Sequence, residues 1–63
     1  MRVKLEYLDG TSDASPDYDE SWGDLKKLLL NFTGSMMSFQ TESGEVIVPV
    51  SSVKKIYPVE DVG

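Results

Sequence analysis

Carboxylates are the most concentrated reactive side chains in this sequence. Six of its eleven acidic residues fall between positions 9 and 24, and none of its six Lys or Arg residues does. The six are Asp9, Asp13, Asp17, Asp19, Glu20 and Asp24. We call residues 9–24 the acidic segment. Like charges this close repel one another unless a cation or a basic surface is near, so the segment is the first candidate for a binding function.

Three interpretations of the acidic segment compete. The first is a solvated loop that keeps a small protein soluble. The second is a contact surface for a basic partner, whose nucleic-acid-binding face the acidic segment could occupy by imitating phosphate spacing. The third is a calcium loop. Calcium fits poorly. Asp13 as first ligand puts Asp17 and Asp19 at suitable positions, but Tyr18 replaces the required glycine and Asp24 replaces the final glutamate. The sequence therefore predicts no metal site of this kind and leaves only a weak divalent site open.

Catalytic chemistry has little support in the composition. The chain contains no histidine and no cysteine, which excludes thiol nucleophiles, Cys/His zinc sites and Ser-His triads. Paired carboxylates could cleave glycosides only if held at fixed separation in a concave site, and a polar loop does not provide one. We therefore predict a protein that is not an enzyme and that uses no cofactor.

The residues predicted to bind a partner lie in the middle of the acidic segment. They are Asp13, Asp17, Tyr18, Asp19 and Glu20. Tyr18 stands among acids without a periodic apolar neighbour, so its ring is a candidate apolar anchor for a contact that charge steers.

Nucleic acid and membrane are not the expected partners. The net charge is −5, and the only basic pairs are Lys26-Lys27 and Lys54-Lys55, whereas nucleic-acid binding needs a basic patch. The longest apolar runs, residues 28–30 and 46–50, are too short to cross a bilayer, and residues 1–5 do not begin a signal peptide. We expect a soluble cytoplasmic protein.

The first half of the chain predicts a strand, a loop and a helix. Val3, Leu5 and Tyr7 alternate with polar residues over residues 2–8, which is typical of a strand with one wet face. Asp9-Gly10 ends this strand, and no apolar run follows to make a hairpin, so residues 9–20 are predicted as a loop. Residues 21–32 predict a helix that Ser21 caps and Gly34 terminates. Its apolar stripe consists of Trp22, Leu25, Leu28, Leu29 and Phe32.

The second half predicts strands. Residues 36–41 and 45–50 flank a turn at Glu42-Ser43-Gly44, and Pro49 marks an edge strand or a strand end. Ser51-Ser52 could form one helical turn before a last strand over residues 53–59. Residues 60–63 are expected to fray.

Together these elements predict one α+β domain over residues 1–63, in the order β-loop-α-β-β-β. We expect three to four antiparallel strands in a bent sheet, with one helix across it and a core that includes Leu5, Leu28, Leu29 and Val48. Residues 48–56 resemble the end of an SH3-type barrel, where a Pro-containing turn precedes the final strand. The resemblance implies an incomplete SH3-like barrel. It implies no binding of Pro-rich ligands, because Glu6-Tyr7-Leu8-Asp9 stands in place of the aromatic dipeptide-rich first strand of peptide-binding SH3 domains.

Two functions follow from this organisation. The favoured one is a non-enzymatic acidic protein-binding module, similar in size and acidity to small bacterial or phage regulatory and inhibitory proteins. The alternative is a structural homo-oligomer that assembles through strand edges, with Val3–Tyr7 or the last strand as the seam.

Overall fold

The computed structural model describes residues 1–59, and it contains five strands, one α-helix and one short 3₁₀ helix in that range. Their order is β1 (Arg2–Tyr7), β2 (Ser12–Ala14), α1 (Trp22–Leu30), β3 (Met36–Thr41), β4 (Gly44–Pro49), the 3₁₀ helix (Val50–Ser52) and β5 (Val53–Val59). The α+β class is confirmed. The structure has five strands in two antiparallel sheets, however, instead of the three to four strands of a single bent sheet that the sequence predicts. The fraying predicted for residues 60–63 lies outside the described residues.

The first sheet has β1 at its centre. Its strand order is β2-β1-β5, and both pairings are antiparallel. The predicted alternation is confirmed, because Val3 and Leu5 are fully buried while Arg2 is exposed. The prediction that Val3–Tyr7 is an edge is wrong: the first strand pairs with the last strand on one side and with β2 on the other.

The predicted loop over residues 9–20 contains a strand that the sequence analysis missed. Asp9-Gly10 does turn the chain into a hairpin, since the Tyr7 N–H donates to the Thr11 carbonyl at 2.9 Å and β2 then pairs with β1. The Asp9 carboxylate accepts hydrogen bonds from the Thr11 N–H at 2.9 Å and from the Thr11 hydroxyl at 2.6 Å. These bonds stabilise the turn without any apolar run in the second strand.

The second sheet is the hairpin β3-β4. Its turn is at Glu42-Ser43, and Gly44 takes a φ of +129°, which is strained for residues with a side chain. β4 ends at Pro49 as predicted, and the helical turn expected at Ser51-Ser52 is a 3₁₀ helix over Val50–Ser52. This turn leads the chain back to the first sheet through β5.

Helix α1 begins where the sequence predicts and ends earlier. The Ser21 hydroxyl accepts a hydrogen bond from the Asp24 N–H at 3.2 Å, which confirms the cap. The helix ends at Leu30 with Asn31 as its C-terminal cap, so the predicted end at Phe32 and the Gly34 cap are wrong. The Phe32 ring approaches Gly34 so closely that a Cβ there would lie 2.7 Å from it. A side chain at this position would therefore displace the exposed Phe32 ring.

The core lies between the two sheets. Val3 and Leu5 from β1 and Met37 and Phe39 from β3 are buried, and a larger set of partly buried residues packs around them. The helix contributes Trp22, Leu25 and Leu29 to that set, and Val48 also belongs to it. Leu5 is thus confirmed as a core residue, while Leu29 and Val48 lie at the core's margin.

Leu28 is not a core residue. It is 67% exposed, because α1 turns the side that contains Leu25 and Leu29 toward the sheets. Successive helical residues are about 100° apart, so Leu28 lies beside that side rather than on it.

Candidate functional site

The backbone of the acidic segment is hydrogen-bonded along β1. The buried Ser15 hydroxyl accepts a hydrogen bond from the Val3 N–H at 2.9 Å and donates one to the Pro16 carbonyl at 2.8 Å. The Ser15 N–H donates to the Val3 carbonyl at 2.9 Å, and the Tyr18 N–H donates to the Met1 carbonyl at 2.7 Å. The acidic side chains therefore project from a backbone with a defined path.

Asp13 and Asp17 each have a partner within the protein. Asp13 accepts a hydrogen bond from the Tyr7 hydroxyl at 2.5 Å. Burial, followed by this hydrogen bond and the Asp13 charge, raises the pKa of Tyr7 to about 12. The Met1 amine donates to the Asp17 carboxylate and lowers the pKa of Asp17 below its ordinary value.

Tyr18 connects the acidic segment to the second sheet. Its hydroxyl donates to the Gln40 carbonyl on β3 at 2.9 Å, and its half-buried ring packs against the core. Burial is the main cause that raises the pKa of Tyr18 above its ordinary value. Asp19 and Glu20 follow directly and are exposed at the approach to α1.

An open apolar groove of about 390 Å³ lies between α1 and β3. Its volume falls in the range of roughly 300–1,000 Å³ that is usual for ligand clefts. Tyr18 and Glu20 line one part of the groove, so two of the five predicted partner-binding residues meet there. The other described lining residues are Leu25, Leu28, Leu29, Phe32, Met37, Ser38, Phe39, Gln40 and Ile56.

The apolar stripe of α1 is wider than the surface that the sheets cover. Leu28 and Phe32 line the groove and are 67% and 44% exposed. The sequence predicts that all five apolar positions of the stripe are core. The width of that stripe, which continues past the end of α1 to Phe32, was nevertheless the one sequence signal that could have indicated an exposed apolar surface.

Among the residues that the structure describes as lining the groove, Glu20 is the one with a charge. The site is thus an apolar surface with a carboxylate beside it. It can hold an apolar side chain and pair with a cation.

Residues 1–59 contain no preformed metal site. No group of three or more His, Cys, Asp or Glu side chains in that range is placed to hold a metal ion. In the same part of the chain, no helix has the length and apolar character that crossing a membrane requires.

Comparisons with known proteins give no further assignment. No family model, curated protein or solved structure matches this chain.

Proposed function

We propose that this protein is a non-enzymatic binding module that engages a basic surface on a partner protein. The observation that carries the proposal is the groove, where Tyr18 and Glu20 join the acidic segment to the exposed side chains of Leu28 on α1 and Phe32 just after it. Carboxylates steer a basic partner and raise its association rate, and the groove supplies the apolar contact that retains it. A small cytoplasmic protein of the bacterial or phage regulatory and inhibitory type is the setting we propose for this activity.

The architecture that we propose for this module is an incomplete SH3-like barrel. Two features support it: the Pro49 turn and the 3₁₀ helix precede the last strand, and that strand returns to β1. The proposed binding surface does not depend on this architecture, because the groove lies between α1 and β3.

Two double variants with the same change in net charge test the role of the acidic segment. Asp19→Asn with Glu20→Gln neutralises the carboxylate that lines the groove and the one beside it in the sequence. Glu60→Gln with Asp61→Asn, the matched control, neutralises an adjacent glutamate and aspartate outside the acidic segment. The partner is captured from host lysate, identified by mass spectrometry and purified, and its association rate with each variant is then measured at low and physiological ionic strength.

We expect the Asp19→Asn, Glu20→Gln variant (the groove variant) to associate roughly tenfold more slowly than the parent protein at low salt. The difference should be smaller at physiological salt, because ions screen the attraction. The control variant should associate like the parent protein. Equal rates for the two variants at both salt concentrations would show that the acidic segment only solubilises the protein. The proposal would also be contradicted if the groove variant retains every partner that the parent protein retains.

The homo-oligomer is the second candidate function. Within the described residues, β5 pairs with β1 alone and β4 pairs with β3 alone, so each has an open edge. Ile47 on β4 is 67% exposed. Sedimentation at about 100 μM decides between the two functions, since the binding module sediments as a 7.0 kDa monomer and the oligomer as a multiple of that mass.

A further inference from the structure

The hydrogen-bonding directions of β3 follow from its register with β4. Thr41 pairs with Gly44 across a two-residue turn, and the Val50 N–H donates to the Ser35 carbonyl at 3.0 Å at the other end of the hairpin. In an antiparallel pair, residues that bond to the partner strand alternate with residues that do not. The odd-numbered residues of β3 therefore bond to β4, and the N–H and C=O groups of Met36, Ser38 and Gln40 point away from it.

Two bonds of the structure agree with this direction. The Gln40 carbonyl accepts from the Tyr18 hydroxyl at 2.9 Å, and beyond it the Glu42 N–H donates to the Ala14 carbonyl of β2 at 3.0 Å. Within residues 1–59, no backbone bond occupies the outward-facing groups of Met36 or Ser38. The outer edge of β3 is thus covered at its Gln40 end, and in the described structure it has no partner strand from Met36 to Ser38.

This unpaired edge borders the apolar groove. Ser38 and Gln40 line the groove together with Met37 and Phe39, whose side chains point to the inner face of the sheet. From Met36 to Ser38 the open part of the edge extends about 7 Å, at about 3.4 Å per residue. It offers room for a strand of about three residues.

We propose that the ligand of this groove is an extended segment of a partner protein, which adds as a strand to the outer edge of β3. This proposal rests on the proposed function and specifies its ligand. Alternate side chains of the segment are apolar and face the groove beside Met37 and Phe39, because residues opposite one another across paired strands share a face. A Lys or Arg stands at the end of the segment next to Gln40, where it meets Glu20.

Two observations favour such a segment over other occupants. A docked helix satisfies its own backbone bonds and would leave the N–H and C=O groups of Ser38 without partners, whereas an extended chain pairs with them. A second copy of this chain would bring another net charge of −5 to a groove that contains a carboxylate. A basic segment complements that charge.

A displayed library of random ten-residue peptides, selected on the full chain, tests the proposal. The peptides that bind are synthesised and measured against two helix variants, Leu28→Asp and Leu30→Asp. Both leucines are exposed, at 67% and 77%, but Leu28 lines the groove and Leu30 does not. Each peptide is also made with N-methyl groups on alternate amides, in two complementary sets.

We expect the selected peptides to alternate apolar with polar residues, to contain Lys or Arg at one end, and to lose affinity with Leu28→Asp but not with Leu30→Asp. One N-methylated set should weaken binding about tenfold per modified amide, and the complementary set should not, because only the amides that face β3 bond to it. In nuclear magnetic resonance spectra, the amide signals of Ser38 and Gln40 should shift when the peptide binds.

Failure of strand addition and failure of the groove as a binding site give different results. Peptides that depend on Leu28 but tolerate both N-methylated sets, or that place apolar residues at helical spacing, would overturn strand addition and leave the groove as a binding site. If no selected peptide depends on Leu28, the groove itself is not the binding site. The association experiment with the acidic-segment variants does not use peptides, so its result stands separately.

Discussion

Tyr7 is the residue whose protonation the fold changes most clearly. Its hydroxyl donates to the Asp13 carboxylate, and burial together with that contact raises its pKa from about 10 to about 12. The folded protein therefore holds the Tyr7 proton more tightly than the unfolded chain does. The resulting contribution to stability is complete below pH 10 and is lost as the pH rises through 12.

A Tyr7→Phe variant should show this dependence in urea unfolding. We expect the free energy of unfolding of the parent protein to fall more steeply between pH 10 and pH 12 than that of the variant. Tyr18 and Tyr57 also have raised pKa values, and they are present in both proteins, so the difference in slope isolates Tyr7. Parallel slopes would show that Tyr7 ionises equally easily in the folded and unfolded states.

Leu5 and Leu28 should differ sharply when each is replaced by alanine. Leu5→Ala opens a cavity in the core and should cost about 2–5 kcal/mol of the free energy of unfolding. Leu28→Ala removes a side chain that is largely exposed and should change stability by about 0.5 kcal/mol or less. Thermal unfolding of both variants checks the pair, and equal losses would mean that Leu28 packs in the core after all.

The sequence could predict the position of Leu5 but not that of Leu28. In β1 the two faces differ in polarity, so alternation alone identifies the buried side. In α1, Trp22, Leu25, Leu28 and Leu29 share a broad stripe, and the part that docks depends on the curvature and width of two sheets elsewhere in the chain. Local periodicity contains no information about that surface.

At the level of whole elements, α1 depends on its N-terminal cap. It is nine residues long, has no fully buried residue, and packs through the partly buried Trp22, Leu25 and Leu29. A helix this short is unstable by itself in water, so each terminal contact matters.

Ser21→Ala should therefore cost about 1 kcal/mol of stability, because the Asp24 N–H loses its acceptor. Ser51→Ala is the matched control, since Ser51 is exposed and follows Pro49, outside both sheets. Hydrogen exchange should show faster exchange in the first turn of α1 for the Ser21 variant only. Unchanged exchange in that turn would contradict the role of the cap.

β2 shows why one element escaped prediction from sequence. Its residues, Ser12–Ala14, contain no apolar alternation, and only Asp13 of the three is partly buried. Backbone pairing with β1 and the bonds of Ser15 to Val3 maintain this strand. Such contacts depend on a neighbouring strand rather than on the type of residue, so only the Asp9-Gly10 turn signalled the hairpin.

At the scale of the whole molecule, the groove was the hardest feature to predict. Its lining residues range from Tyr18 to Ile56 and come from the acidic segment, α1, β3 and β5. Tyr18 and Glu20 were predicted as binding residues because they belong to the local cluster of acids, Tyr18 as an aromatic residue among them. Phe39 and Ile56 look like ordinary core residues in the sequence, and only the folded arrangement places them beside the same opening.

The pairing of β1 with β5 has a consequence for the order of folding. Leu5 pairs with Ile56, so the centre of the first sheet needs residues from both ends of the described chain, whereas β3 and β4 are joined by a two-residue turn. Closing a long loop costs more entropy than closing a short one. In pulse-labelled hydrogen exchange during refolding, we expect the amides of Phe39 and Val46 to be protected before the amides of β1.

A chain that is still being synthesised therefore has one side of β1 open until residues 53–59 leave the ribosome. During that interval the buried positions Val3 and Leu5 lie on a strand that another chain can pair with. High rates of synthesis should accordingly favour aggregation through β1, and a rearranged chain that joins β5 directly to β1 by a short turn should aggregate less.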